Sequence, residues 1–247
     1  MQKTNQISQV QLLGDSISAG ITYDETKKRY VHLKNCFFSM LEDKLAVPIQ
    51  NASHLGSTIL KGMHTVEKAL SRSRADVVAI EFGGNDCDFH WDEIAKDPTA
   101  PHRPNVTRAA FGDYLSGLIE TLRAQKIRPV VFTLPPLDSE RYLQRVSKAD
   151  PDARRNILTW LGDVEQIYRW HETYNDKIIE IAQRTATPLI DVRARFLAQP
   201  DYSEYLSGDG IHPNEKGHLL IAGKIYEVLN QSYPWMLRQD ATPPAFA

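Results

Sequence analysis

Five short apolar runs, at residues 10–13, 49–52, 77–82, 130–134 and 189–192, alternate with longer amphipathic stretches, and this alternation leaves few architectures open. The stretches at 30–45, 59–71, 107–125 and 164–184 lie between the runs, and a last one, 214–229, follows the fifth. Strands separated by helical patterns need crossover connections, which makes them parallel neighbours covered by helices on both faces. The expected fold class is α/β with a mostly parallel five-stranded sheet. In such sheets a ligand binds beyond the carboxyl ends of the strands.

The polar clusters fall at those ends. Gly14-Asp15-Ser16 follows the first run, residues 53–57 the second, and Gly83-Gly84-Asn85-Asp86 the third. Ser16 stands where a strand should end and a helix begin, an exposed place for a nucleophile if a base and oxyanion donors accompany it. Serine needs a base to take its proton as it attacks, and imidazole suits because it titrates near working pH. His212 is the candidate base, and Asp209, three residues upstream, the candidate carboxylate to orient it. Alone, Asp209-Gly210-Ile211-His212-Pro213-Asn214 also reads as a glycine turn and a helix start, with Pro213 at the first helical position. For the oxyanion, the Asn85 side chain and the backbone N–H groups of Ser16 and Gly56 are the candidate donors. The plainer alternatives are an ordinary turn at Asn85 and a helix-entry glycine at Gly56. Asp15 and Asp86 are assigned to loop hydrogen bonding or helix capping.

Taken in order, these motifs resemble the SGNH, or GDSL, hydrolase family. Gly14-Asp15-Ser16 is similar to its nucleophile block, Asn51-Ala52-Ser53-His54-Leu55-Gly56 to its glycine block, Gly83-Gly84-Asn85-Asp86 to its GxND block and Asp209-Gly210-Ile211-His212 to its DxxH block. Order and spacing agree from about residue 10 to residue 229, with Ile17 where the family's name has Leu. The resemblance implies a flavodoxin-like three-layer α/β/α sandwich and ester hydrolysis without metal or organic cofactor. It also implies a catalytic set of Ser16, His212 and Asp209, with Ser16, Gly56 and Asn85 as oxyanion donors.

Other classes fit less well. The 29 basic and 31 acidic side chains nearly cancel, which removes any charge argument for nucleic acid or an anionic membrane. A metallophosphoesterase needs an Asp-x-His upstream of Gly14-Asp15 and a late His-x-His, and the chain has neither. His54, His64, His90 and His102 show no paired metal-ligand spacing. A nucleotide-binding module would use the turn at 14–20, but that turn lacks the P-loop lysine and the third dinucleotide glycine. A non-catalytic binding module has no need of a Ser-His-Asp set. Cys36 and Cys87 are expected as free thiols.

Residues 1–9 are polar and no run approaches the ~20 apolar residues of a membrane span, so a cytoplasmic protein is expected. One domain is expected over 1–247, with a core at about 10–230. Two long loops, 87–105 and 135–162, would form lids or hold helices of their own. Phe89 and Trp91 are candidate substrate contacts, able to stack on a sugar or line an acyl channel. The expected substrate is a small-molecule or carbohydrate ester of small or medium acyl length, with deacetylation of a carbohydrate favoured. A lipid-type ester, or acyl transfer to an acceptor other than water, fits the same residues. The Pro-containing tail at 231–247 would run along the surface or contact a second subunit in a homodimer.

Overall fold

A computed structural model describes residues 7–72 and 75–245. Residues 1–6 of the polar stretch at 1–9, and the last two residues of the tail, lie outside these. The described residues form seven strands: β1 (Val10–Gly14), β2 (Ile21–Asp24), β3 (Arg29–His32), β4 (Ile49–Asn51), β5 (Val77–Glu81), β6 (Arg128–Phe132) and β7 (Leu189–Ile190). The helices are α1 (Phe37–Glu42), α2 (Ile59–Arg72), α3 (Gly84–Cys87), α4 (Trp91–Lys96), α5 (Arg108–Ala124), α6 (Ser139–Val146), α7 (Pro151–Leu161), α8 (Gln166–Arg184), α9 (Val192–Leu197) and α10 (Glu215–Ser232).

The five expected runs make one sheet, in the order β4-β1-β5-β6-β7, and every pairing is parallel. Side chains alternate across a strand, which is why neighbours serve opposite layers. Leu13, Val78, Ile80 and Val131 pack under α2, α5 and α8, whereas Leu12, Phe132 and Ile190 pack against α1, α9 and α10. This is the three-layer α/β/α arrangement. Several of its helices start at side-chain caps. Thr107 accepts from Ala110 N–H at the head of α5, and Asn214 accepts from Gly217 N–H at the head of α10. Pro213 therefore lies outside α10 and not at its first position: Asn214, with its side-chain acceptor, is the N-cap.

The stretch at 30–45 is not one helix. Its first residues form β3, which pairs antiparallel with β2 in a separate hairpin, and only Phe37–Glu42 is helical. Tyr23 and Tyr30 face each other across that hairpin with ring centroids 5.4 Å apart, so a cross-strand aromatic pair outweighs the weak helical period. Both long loops contain helices. Residues 87–105 hold α4, and 135–162 hold α6 and α7. These pack on each other and on α8 through Ile94, Leu143, Ile157 and Ile167, forming a cap beside the carboxyl edge of the sheet. The tail folds back on its own chain, where Leu237 bridges to Leu45 and the Ala241 carbonyl accepts from the Tyr226 hydroxyl.

Gly62 shows how closely α2 lies on the sheet, because a Cβ there would overlap the Phe82 ring. Gly62→Ala is expected to cost about 1–3 kcal/mol by overpacking. Urea unfolding should show the lower midpoint at an unchanged slope.

Candidate active site

Ser16 follows β1 on a turn in which Ala19 N–H donates to the Asp15 carbonyl and Ile21 N–H to the Ser16 carbonyl. His212 and Asp209 lie on the loop before α10, 196 residues away from Ser16 in the case of the imidazole. The parallel topology brings both to the same edge. The His212 Nε2–Ser16 Oγ distance is 2.8 Å, and His212 Nδ1 is 2.6 Å from Asp209 Oδ2. A carboxylate can only accept, so Nδ1 carries the proton and Nε2 is left to accept from the serine hydroxyl.

Asp209 is fully buried and well furnished with donors. Its Oδ1 takes the Ser207 hydroxyl at 2.8 Å and the Ile211 and His212 N–H groups, each at 3.2 Å. Burial pushes its pKa up, but hydrogen bonds from His212 and Ser207 and the His212 charge outweigh this and hold the carboxyl below its ordinary value. Gly210 makes the turn possible: its φ is +78°, and a Cβ there would come within 2.8 Å of Arg141 Cβ and 2.7 Å of the Asp138 carbonyl.

Asn85 stands on α3, and its Nδ2 donates to Asp15 Oδ2 at 2.9 Å, while its carbonyl accepts from the Asn105 amide. An amide nitrogen has two hydrogens, so one N–H remains for a ligand. Gly56 lies in the loop between β4 and α2 at φ +70°, next to Leu55, which is 53% exposed at the cavity mouth. The structure thus brings Ser16, Asn85, Asp209 and His212 to one edge, with Gly56 on the adjoining loop.

This edge opens into a cavity of about 1000 Å³ roofed by the helical cap. Phe89 and Trp91 both line it, in different ways. Trp91 is packed into the cap, its indole N–H donating to Asp88 at 2.7 Å. Phe89 is half-buried and sits edge-on to Trp91 and Trp160 and tilted against Trp170. Asp88 also accepts from the Tyr142 hydroxyl at 2.6 Å, and burial raises its pKa despite both donors.

Several site residues escaped the sequence. The Tyr30 ring lies tilted against His212, with centroids 5.0 Å apart, and Arg145 stands over Tyr23 and Tyr30, tying the hairpin to α6. No local pattern marks such contacts, which arise from tertiary packing alone. Among the described residues, no group of three His, Cys, Asp or Glu side chains is placed to hold a metal ion. Nor is any helix there long and apolar enough to cross a membrane.

The sheet between two helical layers, with the site at its carboxyl edge, defines a flavodoxin-like α/β fold. The chain belongs to the GDSL-like Lipase/Acylhydrolase family, whose model matches residues 12–220. It is similar to the GDSL esterase/lipase CPRD49 of Arabidopsis thaliana, 23% identical over 198 residues, covering 76% of this chain and 68% of the relative. Among solved structures, the lipase/acylhydrolase from Enterococcus faecalis superposes with a TM-score of 0.66 at 22% identity, covering 98% of this chain and 100% of the other. A catalytic mutant of Axe2, an acetylxylan esterase from Geobacillus stearothermophilus, superposes at 0.61 with 16% identity, covering 89% and 93%. Family membership makes this chain a hydrolase acting on esters.

Proposed function

We propose that the chain is a serine esterase in which Ser16 is the nucleophile, His212 the base and Asp209 its orienter. The observation that carries this reading is the unbroken hydrogen-bonded line from Asp209 through His212 to Ser16, ending at the cavity. In the first half-reaction Ser16 Oγ attacks the ester carbonyl as His212 Nε2 takes its proton. The imidazolium is stabilised by Asp209 and returns the proton to the leaving alcohol, and an acyl-enzyme remains. Water then repeats the sequence and releases the acid. Negative charge on the tetrahedral oxygen falls to the Ser16 N–H, the Gly56 N–H and the free Asn85 N–H.

The reading is tested by intact mass after treatment with a fluorophosphonate, which labels an activated serine. One adduct on wild type and none on Ser16→Ala is the expected result. An unlabelled, folded wild type would sink it.

For the substrate, we favour a small acyl ester of a carbohydrate. Half-buried aromatic rings in the cavity wall, Phe89, Trp160 and Trp170, are suited to sugar faces, and the similarly folded Axe2 is described as an acetylxylan esterase. A lipid-type ester is the second reading, supported by Leu134, Leu137 and Ile167 in the same cavity. Hydrolysis rates on a series of p-nitrophenyl esters separate the two: the carbohydrate reading expects kcat/KM to be highest for acetyl and to fall with chain length.

Gly210→Ala is expected to lower kcat by about 10²-fold, because displacing the loop at Asp138 and Arg141 moves His212 from its line with Ser16. Steady-state kinetics on p-nitrophenyl acetate would check it.

A further inference from the structure

Glu81 ends β5 beside Gly14, its partner in the register with β1, and its side chain is buried. Its Oε2 accepts the Ser18 hydroxyl at 2.9 Å, whereas its Oε1 meets no N–H or O–H donor among the described residues. Gly14 leaves room for this contact, since a Cβ there would lie 2.7 Å from Ser18 Oγ. The Asp15 carboxyl, also buried, lies near enough to that of Glu81 for each to shift the other's titration, and it already takes Ile17 N–H on Oδ1 and the Asn85 amide on Oδ2. Neighbouring buried carboxyls resist ionising together. Burial, then the Asp15 charge, raises Glu81 well above its ordinary value. Burial raises Asp15 too, but the Ile17 N–H, Glu81, His212 and Asn85 all favour its anion. Of the two, Glu81 is the one that keeps its proton, and Oε1, the atom without a donor, is free to donate it.

We propose that Glu81 is a positioning residue for ester cleavage: as a carboxylic acid it donates to the Asp15 carboxylate, which anchors one Asn85 N–H and leaves the other facing the oxyanion. This rests on the reading of Asn85 as an oxyanion donor. The other titratable groups around the pair are Asp86 on α3, pushed up to about 7 by burial and repelling Asp15 when ionised, the buried Cys87 thiol on the same helix, pushed up by burial and the surrounding carboxylates, and His212, which attracts Asp15. Ionising Glu81 at alkaline pH sets two carboxylates against each other, displaces Asp15 and loosens Asn85.

The test compares kcat and KM for wild type, Glu81→Gln, Glu81→Leu, Asn85→Ala and the Glu81→Leu/Asn85→Ala double variant across pH, on p-nitrophenyl acetate. Asn85→Ala is expected to lower kcat about 10²–10³-fold. Glu81→Leu should lose about tenfold or more in kcat with KM little changed. The double variant should be no slower than Asn85→Ala, because both act through one donor. Glu81→Gln keeps a donor toward Asp15 and an acceptor for Ser18, so it should retain kcat and lose the alkaline fall. Multiplicative losses in the double variant, or a Gln variant as slow as the Leu variant, would overturn the proposal. An Asn85→Ala variant as fast as wild type would instead overturn the oxyanion reading beneath it.

Discussion

Ser16→Ala is expected to lower kcat by about 10⁶-fold while the fold survives, and His212→Ala to do the same. In the proposed mechanism the two side chains share one proton transfer, across the 2.8 Å contact between Nε2 and Oγ. Removing either partner removes covalent catalysis entirely, so the double variant should be no slower than either single one. Some rate over water should remain, since Ser16→Ala keeps its backbone N–H and leaves Asn85 in place. The side chain lost is small and stands at the cavity wall, where water can reach the freed Nε2. Thermal unfolding should therefore shift little. The measurement is kcat by steady-state and burst kinetics on p-nitrophenyl acetate, beside circular dichroism. Activity within a hundredfold of wild type in folded Ser16→Ala would mean that another group attacks the ester.

The sheet was legible because its central strands β1 and β5 are buried on both faces and all five runs are separated by helical stretches, a pattern with one economical solution. The five runs pair as expected, although their ends shift by one or more residues. The hairpin of β2 and β3 was not legible, since it stands outside the sheet and leaves Arg29 and His32 exposed, so no continuous apolar run marks it. Helix caps set boundaries that apolar periodicity did not show. Asp138 and Asp150 head α6 and α7 within a segment whose charge reads as loop.

At the site, Ser16, Asn85, Asp209 and His212 were legible as types of residue in short motifs, and the parallel topology explains their arrival at one edge. Glu81 and Ser18 were not. Glu81 looks like the polar end of a strand, and its partner Ser18 lies 63 residues away, so only the register of β1 on β5 joins them. Tyr30 and Arg145 were hidden for the same reason, as they meet across the hairpin and α6. Motifs reveal groups that do chemistry. Groups that hold them in place are recruited by packing and carry no local mark.

Asp209→Asn is expected to lower kcat by about 10⁴-fold with little loss of stability, for a reason specific to this loop. Asp209 Oδ1 accepts from Ser207, Ile211 N–H and His212 N–H, three donors in a buried place. An asparagine satisfies them only with its carbonyl oxygen there, which turns its NH₂ toward His212 Nδ1. The imidazole must then accept at Nδ1 and carry its proton on Nε2, facing Ser16, where it cannot take another. Asp209→Ala should lose both activity and stability, because it orphans the Ile211 and His212 N–H groups while the Ser207 hydroxyl keeps only the His212 carbonyl, at about 1–3 kcal/mol for each buried group left unpaired. Kinetics with thermal unfolding separate the variants, and an Asn variant within tenfold of wild-type kcat would remove Asp209 from its role. Acid adds a second check. The folded pKa of Asp209 lies below its ordinary value, so its ionisation stabilises the fold fully above the unfolded pKa, and this is lost as pH falls through the folded one. Any stability advantage of wild type over Asp209→Asn that stems from this charge should therefore shrink on acidification.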